Sequence, residues 1–398
     1  MTLAERMNNL GTETAFEVLA KARALEAQGR EIIHLEIGEP DFDTPKHIVD
    51  AGVRALQEGY THYGPTPGLP ELREAVARNS REVRGIDTDP GQVVVTPGAK
   101  PIMFYVILAL AEPGAEVIYP NPGFPIYESM IRFSGATPVP MQLLEEKDYH
   151  PDLSDLASKI TDRTRLIIIN SPENPCGSAL SRDELETIAN LARGRNLYVM
   201  ADEIYKDILY TGEHFSIAAF PDMAKQTVIL DGFSKSYAMT GWRLGYGIMP
   251  EELVPHITRL AVNSVSCAAS FSQRAAIAAL DGPQDEVQAM AAEFAQRRRL
   301  ITDGLRSIPG FNCPEPEGAF YAFPSIKETG LSSSEFEERA LNEAGVALLS
   351  GSAFGAYGEG YVRLSYANSQ ENITKALESL RAFVAGLGEG QSFTTNKH

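Results

Sequence analysis

Lys235 stands in the run FSKSYAMTGWRLGY (Phe233–Tyr246), among small, apolar and aromatic neighbours, and Arg243 follows eight positions later. A lysine is ordinarily a solvated surface cation. In apolar surroundings its charged form is disfavoured, and the neutral amine can attack a carbonyl to form a Schiff base. Arg243, set between Gly241, Gly245 and Gly247, has the planar fork that pairs with a phosphate. A second anion signal lies in TPGAKPIMFYVILAL, where Gly98, Ala99 and Lys100 fall between a strand and the start of a helix. Free N–H groups and the positive end of the helix dipole make such a place a phosphate cradle. Lys100 either adds its charge there or is solvated. The apolar strand in YVMADEIY ends in Asp202 and Glu203, and an acid so placed has to be paired. GYVRLSYA carries Arg363 inside an otherwise apolar strand, so its guanidinium needs an anion, from a ligand or from an internal carboxylate. In NSPENPCGS, prolines and a glycine after a buried strand hold Asn174 at the carboxyl edge of a sheet, where ligands of open α/β sheets bind.

Taken in their order along the chain, the motifs resemble those of class I/II aminotransferases, which are fold-type I pyridoxal-phosphate enzymes, and of their aspartate aminotransferase-like members in particular. The resemblance runs from about residue 5 to about residue 387. It implies pyridoxal 5'-phosphate held as a Schiff base on Lys235, with Ser234 beside it. Gly98, Ala99, Lys100 and Arg243 are then the phosphate site. Phe124, in NPGFPIYES, matches the aromatic that stacks on the pyridine ring. Asp202 matches the acid that holds the ring nitrogen protonated, and Asn174 and Tyr205 match the partners of the phenolic oxygen. Arg363 matches the arginine that grips the substrate α-carboxylate, with Asn174 at hand and with Gly38 of LEIGEPDFDTP letting backbone approach the same group. Tyr63, in HYGPTPGLPELRE, matches the tyrosine that reaches the cofactor of a neighbouring subunit, which implies a homodimer with shared active sites. Ser264–Ser272 is expected to lie near the partner's site. Cys176 stands where threonine is more usual and is expected as a small filler next to the ring. The implied reaction moves an amino group between an L-amino acid and a 2-oxo acid by a ping-pong mechanism, with aspartate or glutamate and 2-oxoglutarate or oxaloacetate the leading pair. A pyridoxal-phosphate C–S lyase, or another fold-type I enzyme, is the competing reading. A pyridoxal-sensing module fused to a DNA-binding domain is not expected, because the motifs begin almost at the amino terminus.

These residues need a frame. From about Gln92 the short β-rich runs VVVT, EVIYP, LIIIN, LYVMAD and TVILD alternate with helical stretches at Lys100–Leu110, Phe124–Phe133 and Arg182–Arg193. Such alternation predicts an α/β fold with a doubly wound sheet. The resemblance narrows this to a mostly parallel, seven-stranded-type sheet with helices on both faces and a smaller α+β domain. A helix is expected over Thr12–Gln28, closed by Gly29, and two long helical stretches from Leu253 to Leu280 and from Gln284 to Ile308. GAFYAF, a helix over Ser333–Ala344, VALLS, YVRLSYA and a helix over Gln370–Leu387 make the second unit. The expected division is 1–45 as an arm with part of the small domain, 46–280 as the large cofactor domain, 281–387 as the small domain and 388–398 as a tail.

With 35 basic and 53 acidic residues the chain carries a formal charge of −18, which repels nucleic acid and anionic lipid. Three cysteines without CxxC spacing predict neither a disulfide framework nor a metal site, and fit a reducing cytoplasm. There is no uninterrupted apolar run long enough to span a bilayer and no apolar leader.

Overall fold

A computed structural model of the chain describes residues 2–391. Three helices precede the sheet: α1 (Ala15–Glu26), α2 (Lys46–Gln57) and α3 (Pro70–Arg84). Proline opens α3, where a missing N–H costs nothing, and Gly85 closes it at φ 68°, a conformation that glycine adopts freely. Strands and helices then alternate: β1 (Val93–Thr96), α4 (Lys100–Leu110), β2 (Glu116–Asn121), α5 (Pro125–Ser134) and β3 (Thr137–Leu144). Next come β4 (Thr164–Asn170), α6 (Arg182–Ala192), β5 (Tyr198–Asp202), β6 (Thr227–Gly232) and β7 (Gly245–Ile248).

The sheet order is β1-β7-β6-β5-β4-β2-β3, with the two-residue strand His150–Pro151 added at the β3 edge. Only β7 and that short addition run against the rest. Helices cover both faces, so the central strands are apolar on both. In β4, Leu166 and Ile168 pack on one side with Ile102 and Val106 of α4, while Ile167 and Ile169 pack on the other with Leu185 and Ile188 of α6. Each such side chain contributes about 1.5–3 kcal/mol on burial. The frame is thereby rigid, and the carboxyl ends of β4, β5 and β6 all open on one edge.

Two strands escape the sequence pattern. β3 contains Pro138 and Pro140, yet it pairs in register with β2 through both residues. The Thr137 N–H donates inward, to the Ala115 carbonyl, so by strand alternation the two proline nitrogens face the outer side, where no ladder bond is needed. β7 reads GYGI, too rich in glycine to look like a strand.

Beyond the sheet, the stretch expected as one helical run to Leu280 is two helices, α7 (Val254–Val262) and α8 (Ser270–Asp281). Val265 and Ser266 both donate to the Ala261 carbonyl, Ser264 Oγ bonds the Leu260 carbonyl, and Ser266 sits at φ 62°. Short hydroxyl side chains that bond their own backbone break the helix there. The long α9 (Asp285–Arg306) follows, and then a small antiparallel sheet of β8 (Tyr321–Ala322), β9 (Leu349–Ser350) and β10 (Val362–Ser365), ordered β8-β10-β9. Helix α10 (Ser333–Arg339) runs on as a wider turn over Ala340–Ala344. The last helix, α11 (Gln370–Gln391), passes the expected end at Leu387, because Gly388 and Gly390 do not stop it; residues 392–398 of the expected tail lie outside the described residues. Ile33–His34 pairs with Val346–Ala347, which ties the amino-terminal stretch to this smaller unit.

Candidate active site

Four strand ends and one turn converge on a cavity of about 520 Å³. At one end, β1 passes into α4 through Gly98 at φ 80°, with Thr96 Oγ1 donating to the Gly98 carbonyl at 2.7 Å to shape the turn. The N-terminus of α4 has no side-chain cap, so its leading N–H groups are available to an anion. Arg243 lies against this turn. A Cβ on Gly98 would stand 2.3 Å from Arg243 Nη2, and one on Gly245 would stand 2.4 Å from the Ala99 nitrogen, so both glycines are needed for the approach. Arg243 donates to the Thr240 carbonyl at 2.8 Å and forms no ion pair among the described residues. Lys100 Nζ lies 5.3 Å from the centre of the Phe124 ring and pairs with Glu13 at 2.7 Å.

Asp202 ends β5 directly opposite Asn170 at the end of β4. It is buried, and accepts the Tyr127 O–H at 2.6 Å and the Ile204 N–H at 3.2 Å, with no cation in contact among the described residues. Burial pushes its carboxyl up to about 6 against those two donors, with Asp231 and Glu203 adding to the rise. Asn170 Oδ1 accepts the Asn174 N–H at 2.9 Å, and Asn170 Nδ2 donates to the Asp202 carbonyl at 3.0 Å, so the polar loop is locked to the strand. Asn174 Oδ1 in turn accepts from Arg363 Nη1 at 3.1 Å.

Arg363 comes from β10 of the smaller unit, paired with Leu349. Its guanidinium is buried over the rings of Tyr321 (4.5 Å) and Phe354 (5.0 Å), and Nη2 donates to the Glu36 carbonyl. No carboxylate pairs with it among the described residues, and Nε has no partner. The internal ion pair that the sequence left open is therefore absent among the described residues. Lys235 reaches the same space from the loop after β6, beneath the rings of Tyr205 and Phe320, and donates to the Gly38 carbonyl. Burial lowers its ammonium to about 8, with Glu39 opposing and Arg363 assisting.

The model of the family described as aminotransferase class I and II matches residues 30–380. The chain is a class I and II aminotransferase. It is 40% identical to the aspartate aminotransferase of Geobacillus stearothermophilus over 391 residues, covering 96% of this chain and 99% of that one. It is also 38% identical to aromatic-amino-acid aminotransferase 2 of Thermococcus litoralis, covering 96% and 97%. Among solved structures, the aspartate aminotransferase of Thermus thermophilus with maleate superimposes at a TM-score of 0.92, with 36% identity and coverage of 96% and 100%. The aminotransferase is thus a pyridoxal-phosphate-dependent enzyme that acts on amino acids and 2-oxo acids.

The cavity of this aminotransferase fits that cofactor on its own evidence. It offers a lysine amine, a buried carboxylate without a cation, and an arginine without a carboxylate beside an uncapped helix. Gly38, Ala99, Lys100, Phe124, Asn174, Asp202, Tyr205, Ser234, Lys235, Arg243 and Arg363 all line it, with Gly98 just behind. A Cβ on Gly38 would lie 2.2 Å from the Tyr321 hydroxyl, so glycine is required there. Tyr63 does not join them, being 92% exposed at the surface of the protomer. Cys176 does not either: it is buried with Tyr149 and Phe323, and its N–H donates to Glu173 Oε2 at 2.7 Å, which corrects the expected place beside the ring. The motifs also contained residues whose part was not legible. Tyr127 holds Asp202, and Tyr321 shares a hydrogen bond of 2.8 Å with Tyr205, yet both read as ordinary core aromatics in NPGFPIYES and GAFYAF. Glu13 gave no signal at all, since only the fold brings it to Lys100.

Proposed function

We propose that this aminotransferase exchanges the amino group of aspartate or glutamate with 2-oxoglutarate or oxaloacetate. The observation that carries the reading is the Lys100–Glu13 pair inside the cavity, which already seats one carboxylate on a lysine in a space shared with Arg363. A dicarboxylic substrate gives its α-carboxylate to Arg363 and its side-chain carboxylate to Lys100 in place of Glu13. The maleate carried by the Thermus structure, itself a dicarboxylate, supports this.

In the proposed arrangement Lys235 carries the cofactor, Asp202 pairs with its ring nitrogen and Phe124 covers its face. Arg243, Ser234 and the backbone of the turn of Gly98, Ala99 and Lys100 take the phosphate, while Asn174 and Tyr205 bond the phenolic oxygen. Gly38 and Asn174 frame the carboxylate held by Arg363. Pyridoxal phosphate supplies an electron sink for the negative charge that develops at the substrate α-carbon. Once the incoming amine has taken its place on the cofactor, Lys235 Nζ would be free to take the α-proton, and the burial that lowers its ammonium to about 8 in the cofactor-free chain favours the neutral amine this needs. The Tyr205–Tyr321 hydroxyl pair and the Asn170–Asn174 bond hold the surrounding polar groups in place.

The fully exposed Tyr63 supports a homodimer in which it reaches the neighbouring cavity. The apolar stripe of Val49, Val53 and Leu56 on α2, all at least 36% exposed, is a surface that a second copy covers. Residues 46–280 are taken as the cofactor domain, 281–387 with part of 1–45 as the smaller one, and 388–398 as a tail. A cytoplasmic setting is supported by three cysteines that form no disulfide. No described helix is long and apolar enough to cross a membrane.

The test is an absorbance spectrum of the purified protein with aspartate, glutamate, alanine and an aromatic amino acid, each added without an oxo acid. Conversion of the visible band by the two acidic donors, weakened about tenfold in Lys100→Gln but unchanged for alanine, is expected. With a cysteine S-conjugate added in the same way, release of ammonia and pyruvate without an oxo acid partner would replace transfer by a lyase reaction, and equal conversion by every donor would remove the acidic specificity.

A further inference from the structure

Behind the carboxyl ends of β5 and β6 lies a cluster of buried charges that the assignments above do not use. Arg84, the last residue of α3, is buried, with Nε 2.6 Å from Glu203 Oε2 and Nη2 2.5 Å from Asp231 Oδ2. Glu203 also faces His214 Nε2 at 3.1 Å and accepts the Ser216 hydroxyl at 2.5 Å. Asp231 accepts the Tyr246 hydroxyl at 2.9 Å and faces Lys206 Nζ at 3.1 Å. Lys206 pairs with Asp207 at 2.7 Å, and Asp207 accepts the Ser236 hydroxyl at 2.5 Å.

Both ends of this chain of contacts reach the site through a single peptide bond. Glu203 follows Asp202, and Ser236 follows Lys235. Arg84 is the link in the middle, since among the described residues it alone joins the carboxylate after β5 to the carboxylate on β6. Three acids face two permanent cations, one of them Arg84, so its removal would deepen the excess of negative charge in the cluster. Burying so many charges is no cheap route to stability, because apolar side chains of the same shape usually serve as well. The arrangement therefore calls for a role beyond holding α3.

We propose that Arg84 is a positioning residue for amino transfer: by clamping Glu203 to Asp231 it fixes the separation of Asp202 and Lys235 and the charge they feel. This rests on the reading that Asp202 and Lys235 hold the cofactor. The other groups that act on them are in plain view. Tyr127 bonds Asp202, the buried Glu173 lies close enough to act on it through its charge, and Glu13, Glu39, Lys100, Tyr205 and Arg363 surround Lys235. None of these bonds Arg84 among the described residues, so the cluster acts as a separate background field. Its acids matter to the site, since Asp231 and Glu203 both favour the neutral form of Asp202.

The experiment uses the cofactor-loaded enzyme as wild type, Arg84→Met, Arg84→Lys and the double variant Arg84→Met/Asp231→Asn. Four quantities are read: the pH midpoint of the visible cofactor band, kcat, KM and the thermal midpoint. Arg84→Met leaves an uncompensated negative charge, which favours the cationic form at Lys235 and raises the absorbance midpoint by about one pH unit. Its kcat falls about tenfold while KM stays within about twofold. The double variant restores the wild-type net charge and returns the midpoint to the wild-type value, but it lacks the clamp and keeps the lower kcat. Arg84→Lys holds one carboxylate at a time, so it keeps the midpoint and recovers kcat in part. Should Arg84→Met fail to fold, the double and lysine variants decide, and wild-type kcat in both overturns the proposal. A folded Arg84→Met with a lower thermal midpoint but unmoved absorbance and kinetics also overturns it, making Arg84 structural only. Absence of the visible band from the wild-type enzyme would instead refute the cofactor assignment itself.

Discussion

The hydrogen bond from Tyr127 to Asp202 offers a single-atom test of the site. Tyr127→Phe removes one hydroxyl and keeps the ring that packs edge-on against Phe124 at 5.6 Å, so no cavity of consequence opens. The lost bond is a 2.6 Å donation to a buried carboxylate. Hydrogen bonds to charged groups are worth about 1.5–3 kcal/mol, which corresponds to about one to two pH units in the acceptor's titration. The donor favours the ionised form, so its removal lifts Asp202 further, from about 6 toward the neutral range. The sign for stability follows from linkage. Asp202 already titrates above its unfolded value, so in cofactor-free protein its contribution to stability falls as pH rises from the unfolded midpoint through the folded one, and stays low above it. The variant extends that decline to higher pH. The assay is the carboxyl infrared band of cofactor-free wild type and Tyr127→Phe across pH, with Asp202→Asn as the assignment control. A midpoint that stays near 6, or moves down, would refute the idea that Tyr127 sets the charge of Asp202. In the loaded enzyme the same change should lower kcat more than it alters KM, because it acts on the group proposed to keep the ring nitrogen protonated.

Lys235→Ala is expected to abolish turnover and the visible band, and near wild-type turnover in steady-state assays would contradict its proposed role. Arg363→Lys keeps a charge but loses the fork, so kcat/KM should fall about a hundredfold for both amino and oxo acids, whereas an unchanged KM for both would reject the anchor. Gly245→Ala places a methyl 2.4 Å from the Ala99 nitrogen, and equilibrium titration should show cofactor affinity reduced about tenfold or more, through a displaced Arg243 and helix start.

By itself the sequence determined the residues that carry the chemistry and their order along the chain, while leaving transfer and elimination both open. A lysine, an aspartate and two arginines in apolar or glycine-rich surroundings admit few solvated readings, and the alternation of β-rich and helical runs leaves few topologies. Strand ends were legible because buried parallel strands are continuous apolar runs, so that Asn170 and Asp202 mark where β4 and β5 leave the core. Tertiary structure alone decided which groups face one another. Tyr127 and Tyr321 look like core aromatics until the register brings their hydroxyls to Asp202 and Tyr205. β3, with its two prolines, becomes a strand only because the outer side of the sheet asks nothing of their nitrogens. The Arg84 cluster joins positions 119 and 147 residues apart, a separation at which no local pattern carries information. Periodicity and motifs report on what a residue's own segment can bury, whereas the balance of charge and hydrogen bonds around the site is set by neighbours that only the folded chain supplies.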